Sequence, residues 1–294
     1  MNNSFDQFIP GDVMFSIGKR SACIFDKLKE NPKYSVVLDI NGFTQQINTD
    51  SVDFYSRVLT NYKQFCTADK PANYHVNVAE YNHKVKRRLR GDANYNCSKI
   101  QLNEVFNYRM DRSGTHIDLM LPKQYEPWMA DNFFKLYFSS RCLDHGMILF
   151  HASAIIKTDG GMVVFLGQSG AGKSTIASLS DLPCIHDDII AISCKQGRFR
   201  VETIPFKVDY EKRAFDGAID GFFRIYQSSK TYSEKISHKV EKQTHLLFGV
   251  WSFREFDFDS GSMDQRKIEM CQAMIDIPMK RLFFTKNKEF MKLI

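Results

Sequence analysis

The 294-residue sequence is 43% hydrophobic and 25% charged, with 25 phenylalanines, which is enough for a sizeable core in one large domain or two ordinary ones. A net charge of +6 suits an anionic ligand or acidic partner and falls short of a nucleic-acid-binding signature. The seven cysteines are scattered, odd in number and without a CxxC pair, so reduced thiols are expected rather than a disulfide framework or a zinc site.

The first residues, MNNSFDQF, lack the basic and apolar regions of a signal peptide, and no run approaches a membrane span. A cytoplasmic protein without membrane or nucleic-acid partners is therefore expected. Tyr34 to Ile40 (YSVVLDI) reads as a strand, Asn41-Gly42 as a hairpin turn, and Phe43 to Ile47 as the returning strand. Ser51 to Phe65 reads as a helix capped by Ser51, with Phe54, Val58, Leu59 and Tyr62 on one face. Further strands are expected near Tyr74 to Val78, Lys99 to Leu102 and Thr115 to Leu121. The run Lys84, Lys86, Arg87, Arg88 and Arg90 reads as a solvated face or an electrostatic patch. Residues 1–122 thus form an α+β accessory region without a chemical motif. A helix from Glu126 to Leu143, stopped at Gly146, joins it to a second domain, the whole of which spans 123–294.

Two long apolar runs follow, Met147 to Ile156 (MILFHASAII) and Met162 to Leu166 (MVVFL), around the turn sequence Lys157 to Gly161. They predict an antiparallel hairpin whose second strand feeds into Gly167, Gln168, Ser169, Gly170, Ala171, Gly172, Lys173, Ser174 and Thr175, a complete Walker A pattern. Glycines let the backbone turn several N–H groups towards one anion, at the start of a helix expected over Ser174 to Leu179. Lys173 brings a mobile charge to β- and γ-phosphates, and Ser174 offers a hydroxyl to magnesium. Asp181 and Pro183 end the helix.

Next comes an apolar strand, Leu182 to Ile192, interrupted by Asp187 and Asp188. Neighbours on a strand point to opposite faces, and acids with such apolar flanks are costly unless they serve a cation or a hydrogen bond. One acid fits a magnesium-linked role and a second fits proton acceptance from an attacking hydroxyl. His151, within the first apolar run, is either a hydrogen-bonded core residue or part of a site; His186 is more ambiguous.

The order LFHASAII, turn, MVVFLGQSGAGKST and CIHDDIIAI resembles the catalytic domain of the HPr kinase/phosphorylase family. It is most similar to the shorter HPr-kinase-related proteins, some of which accompany ribosomally made, modified peptides. The resemblance covers roughly residues 130–292, is strongest over 147–192, and continues in DGFFRIYQSS and IDIPMKRLFFTKNKEF. It implies an α/β fold akin to the nucleotide-binding part of phosphoenolpyruvate carboxykinase, with a mixed, largely antiparallel sheet. It implies that His151 is the active-site histidine, that Lys173 and Ser174 hold phosphate and magnesium, that Asp187 accepts the substrate proton, and that Asp188 helps hold magnesium.

The sequence also departs from that family. The stretch from Lys173 to the aspartates is about one helical turn shorter than in the full HPr kinases, the downstream phosphorolysis signature is missing, and Glu202 is the one weak candidate for the later metal-binding glutamate. These departures argue against HPr as substrate and against phosphorylase activity. The expected function is transfer of the ATP γ-phosphoryl group, with Mg2+, to a Ser or Thr of a peptide or protein, such as a ribosomal precursor peptide. The alternatives are a kinase for free serine or a sugar, an ATP-dependent switch, and a leader-peptide-binding protein with a relict loop. A nucleotide and a peptide or protein substrate are the expected partners, and a homo-oligomer is compatible with the sequence.

Overall fold

The structure, a computed structural model, describes residues 19–81, 98–100, 104–111, 113–123, 127–206, 217–251 and 260–294. The basic run from Lys84 to Arg90 lies outside them. The fold is mixed α/β, with one mixed sheet in each of two compact units divided after Phe138.

The first unit comprises α1 (Lys19–Glu30), β1 (Tyr34–Ile40), β2 (Phe43–Thr49), α2 (Val52–Tyr62), β3 (Cys66–Thr67), β4 (Tyr74–Tyr81), β5 (Ser98–Ile100), β6 (Glu104–Met110), β7 (His116–Pro122) and most of α3 (Pro127–Arg141). Asn41 and Gly42 both take positive φ, 54° and 93°, the conformation a two-residue turn needs to match strand twist. Ile40 therefore pairs with Phe43 and fixes the hairpin register. Ser51 caps α2 by accepting from the Phe54 amide at 3.2 Å. The helix ends at Tyr62, and Lys63–Phe65 continue as a 3-10 turn. The sheet order is β3-β1-β2-β4-β7-β6-β5, parallel only at β2–β4 and β4–β7. Phe43, Phe54, Phe133, Tyr137 and Phe138 are fully buried and fill this core.

The second unit contains β8 (Met147–Ile156), β9 (Met162–Leu166), α4 (Lys173–Leu179), β10 (Cys184–His186), β11 (Ile189–Lys195), β12 (Arg198–Glu202), β13 (Ile219–Gln227), β14 (Tyr232–Lys235), α5 (Lys239–Gly249), α6 (Ser260–Ala273) and β15 (Met279–Phe284). The order is β12-β11-β8-β9-β13-β15-β14, with β10 also paired to β8. The sheet is largely antiparallel, the exceptions being β9–β13 and β13–β15. The carboxyl ends of β9, β13 and β15 consequently open on the same edge, where open α/β sheets place their ligands.

Alternation along the strands builds a core on each face. Phe150, Val164, Leu166 and Phe222 face Leu246 of α5 and Cys271 of α6. Phe165, Phe223, Ile225 and Phe284 face Ile176 of α4 and Phe290 near the C-terminus. Among the described residues, Cys66, Cys142, Cys184, Cys194 and Cys271 are free thiols, and no helix is long and apolar enough to cross a membrane.

Candidate active site

Strand β9 delivers the chain to a turn over Gly167–Gly172, and α4 starts at Lys173. Gly170 and Gly172 have φ of 78° and 105°, a region that side chains disfavour. Space is also short at Gly172, where a Cβ would lie 2.6 Å from the Phe284 ring. The Ala171 amide donates to the Gln168 carbonyl at 3.1 Å and closes the loop on itself. The Lys173 ammonium folds back to donate to the Gly167 and Gln168 carbonyls, at 2.9 and 3.0 Å. Burial pushes the pKa of Lys173 below the ordinary lysine value; Asp188 opposes that shift and Arg224 adds to it.

A cavity of about 290 Å³ lies over this loop. Ser169, Gly170, Gly172, Lys173, Ser174 and Thr175 form its floor, and β8 and the β10–β11 junction add His151, Asp187 and Asp188. The strand expected through the two aspartates is broken there: β10 stops at His186, and β11 starts at Ile189. His186 pairs with Ala154 and Ile189 with His151, so both halves stay on β8 while the backbone bends between them. An unbroken strand would send adjacent side chains to opposite faces. The bend instead lets both carboxylates line one cavity. Asp188 accepts from or pairs with His151, Oδ1 to Nε2, at 3.3 Å.

The remaining expected residues lie elsewhere. Gly167, Gln168 and Ala171 shape the loop without lining the cavity. His186 is buried, and its Nε2 lies 3.5 Å from the Ile204 amide. Glu202 is not brought to this site. It sits at the end of the outer strand β12, where its buried carboxylate accepts from Ser193 and pairs with Lys195 at 2.6 Å. Among the described residues no group of three or more His, Cys, Asp or Glu is arranged around a metal position. Magnesium asks for less, since it keeps several waters and takes one or two protein oxygens beside substrate phosphates. Ser174 and Asp188, hard oxygen donors in the same cavity, fit that demand.

No protein-family model matches this chain, and no curated protein matches it significantly in sequence.

Three further residues belong to the site's surroundings. Gln227, the last residue of β13, lines the cavity and donates from Nε2 to the Gly170 carbonyl at 2.8 Å. Lys286, two residues beyond β15, lines it too and is exposed. Arg224 stands on β13 directly opposite Leu166, the residue before the loop. They lie in DGFFRIYQSS and IDIPMKRLFFTKNKEF, segments that carry the family resemblance but no chemical motif that singles out these residues. They reach the loop because β13 and β15 lie parallel to β9, a pairing between segments more than fifty residues apart.

Proposed function

We propose that this chain is an ATP-dependent kinase of HPr-kinase-like fold that transfers the γ-phosphoryl group to a serine or threonine hydroxyl of a peptide or protein. The observation that carries the reading is the convergence of Lys173 and Ser174 with Asp187, Asp188 and His151 in one cavity. A nucleotide-binding loop alone would suit a switch; a second carboxylate beside the metal-linked one suits a reaction with a hydroxyl acceptor.

In this reading the loop amides and the Lys173 ammonium bind the β- and γ-phosphates. Lys173 leaves its two loop carbonyls and turns to the phosphate oxygens, exchanging neutral acceptors for charged ones. Ser174 and Asp188 would hold magnesium, and His151 fixes the Asp188 carboxylate through their contact. Magnesium, when bound, would neutralise charge on the phosphates. Asp187 aligns the acceptor hydroxyl and takes its proton as the new O–P bond forms and the bond to ADP breaks. Catalysis of this kind is mostly positioning and electrostatics. The His151 and Asp188 side chains are 32% and 34% exposed, so the acidic end of the cavity opens to solvent and can admit an acceptor carried on a large molecule.

The test uses γ-labelled ATP, magnesium and serine- or threonine-containing peptides and proteins encoded near this chain's own gene. Label should appear as a phosphate ester on the acceptor. Lys173→Ala should abolish the transfer and weaken magnesium-ATP binding at least tenfold, about 1.4 kcal/mol. ATP hydrolysis with no labelled acceptor would favour the switch, and unchanged ATP affinity in folded Lys173→Ala would remove the phosphate-site assignment.

A further inference from the structure

The cavity is chemically divided. Its titratable acids and its imidazole, Asp187, Asp188 and His151, come from β8 and the β10–β11 junction on one side of the loop. On the other side, beyond the carboxyl ends of β13 and β15, it is lined by Gln227 and Lys286. Among the described residues the Lys286 ammonium has no carboxylate or carbonyl partner. Arg224, beside the start of the loop, has a buried Nε without a hydrogen-bond partner. An exposed lysine without a fixed counter-charge at one end of a cavity favours a ligand that brings negative charge there. Gln227 spends its amide N–H on the Gly170 carbonyl, and that bond leaves its Oε1 as an acceptor at the same end.

A nucleoside triphosphate is itself polar end to end. Magnesium and the acceptor meet it at the γ-phosphoryl group and so require the carboxylates. Only the other direction remains for the α-phosphate and the nucleoside. We infer that the nucleotide lies across the loop with its nucleoside end over the carboxyl ends of β13 and β15, Lys286 bonding the α-phosphate and Gln227 Oε1 accepting from the ribose or base. The acceptor hydroxyl then enters from the opposite side, past His151 and Asp187. This orientation rests on the nucleotide-binding reading above and assigns two residues that the glycine-loop pattern does not contain.

Binding of ATP and of ADP to the full chain, with and without magnesium, tests it. Lys286→Ala should weaken ATP and ADP by the same factor, about tenfold, whether or not magnesium is present, the scale of one charge-assisted contact. The exposed lysine Lys235 on β14 serves as a control, and Lys235→Ala should leave both affinities unchanged. Two results would overturn the inference while leaving the kinase reading intact: nucleotide affinities within twofold of wild type, or a loss for ATP without a loss for ADP, which would put Lys286 at the γ-phosphate. A wild type that binds neither nucleotide removes the proposed function and this orientation with it.

Discussion

The Lys173 ammonium is bonded to two carbonyls of its own loop and is 5% exposed. Such a cation is held by neutral oxygens in a place where its charge is poorly solvated, and burial accordingly lowers its pKa. A triphosphate reverses the balance by adding negative charge next to the ammonium. As pH rises towards the lowered value Lys173 loses its proton, and a bound triphosphate restores it, so nucleotide binding takes up protons at alkaline pH and weakens as pH rises further. Calorimetry in two buffers of different ionisation heat should give different binding heats at alkaline pH for the wild type. It should give equal heats for Lys173→Arg, whose guanidinium stays protonated. Equal heats for the wild type as well would show that Lys173 does not change protonation on binding. At this scale Lys173 and Ser174 were legible because their placement depends on a local glycine pattern. Gln227 and Lys286 were not, because neighbouring strands rather than neighbouring residues bring them to the loop.

The loop between β9 and α4 combines two demands that can be separated by substitution. Gly170 and Gly172 both have positive φ, but a Cβ at Gly170 meets nothing within 4 Å, whereas one at Gly172 strikes the Phe284 ring. Gly170→Ala therefore carries only the backbone penalty, about 1 kcal/mol. Gly172→Ala adds a steric penalty, and the loop must shift away from Phe284. Urea denaturation should show Gly172→Ala to be the less stable variant by about 1–3 kcal/mol, with the larger loss of nucleotide affinity. Equal stabilities would mean that Phe284 yields freely and does not set the loop's position. The hairpin β8–β9 and helix α4 could be read from apolar runs and breakers. The bend at Asp187 and Asp188 could not. The flanks Ile185 and Ile189 to Ile192 favour a continuous strand, and only the pairing of both halves with β8 shows where the ladder is interrupted.

Across the whole molecule the chain divides into two units, each with its own mixed sheet and aromatic-rich core. The α/β class was legible because period-two strands and period-3.6 helices leave different traces in sequence. Strand order was not, since the insertion of β13 beside β9 and of β15 beside β13 depends on which apolar faces bury best together. That order gathers the loop, two carboxylates, an imidazole, an amide and a second lysine at one cavity, an arrangement that a phosphoryl transferase can use and a bare nucleotide switch does not need. Asp187 serves the acceptor and not the nucleotide in the proposed reaction. Asp187→Asn keeps the side chain's shape and removes its ability to take a proton, so the most direct measurement is its rate of γ-phosphoryl transfer beside its ATP affinity in the same preparation. Its kcat should be lower by about 10²–10⁴ with ATP affinity close to wild type. A variant that retains most of its transfer rate would contradict it.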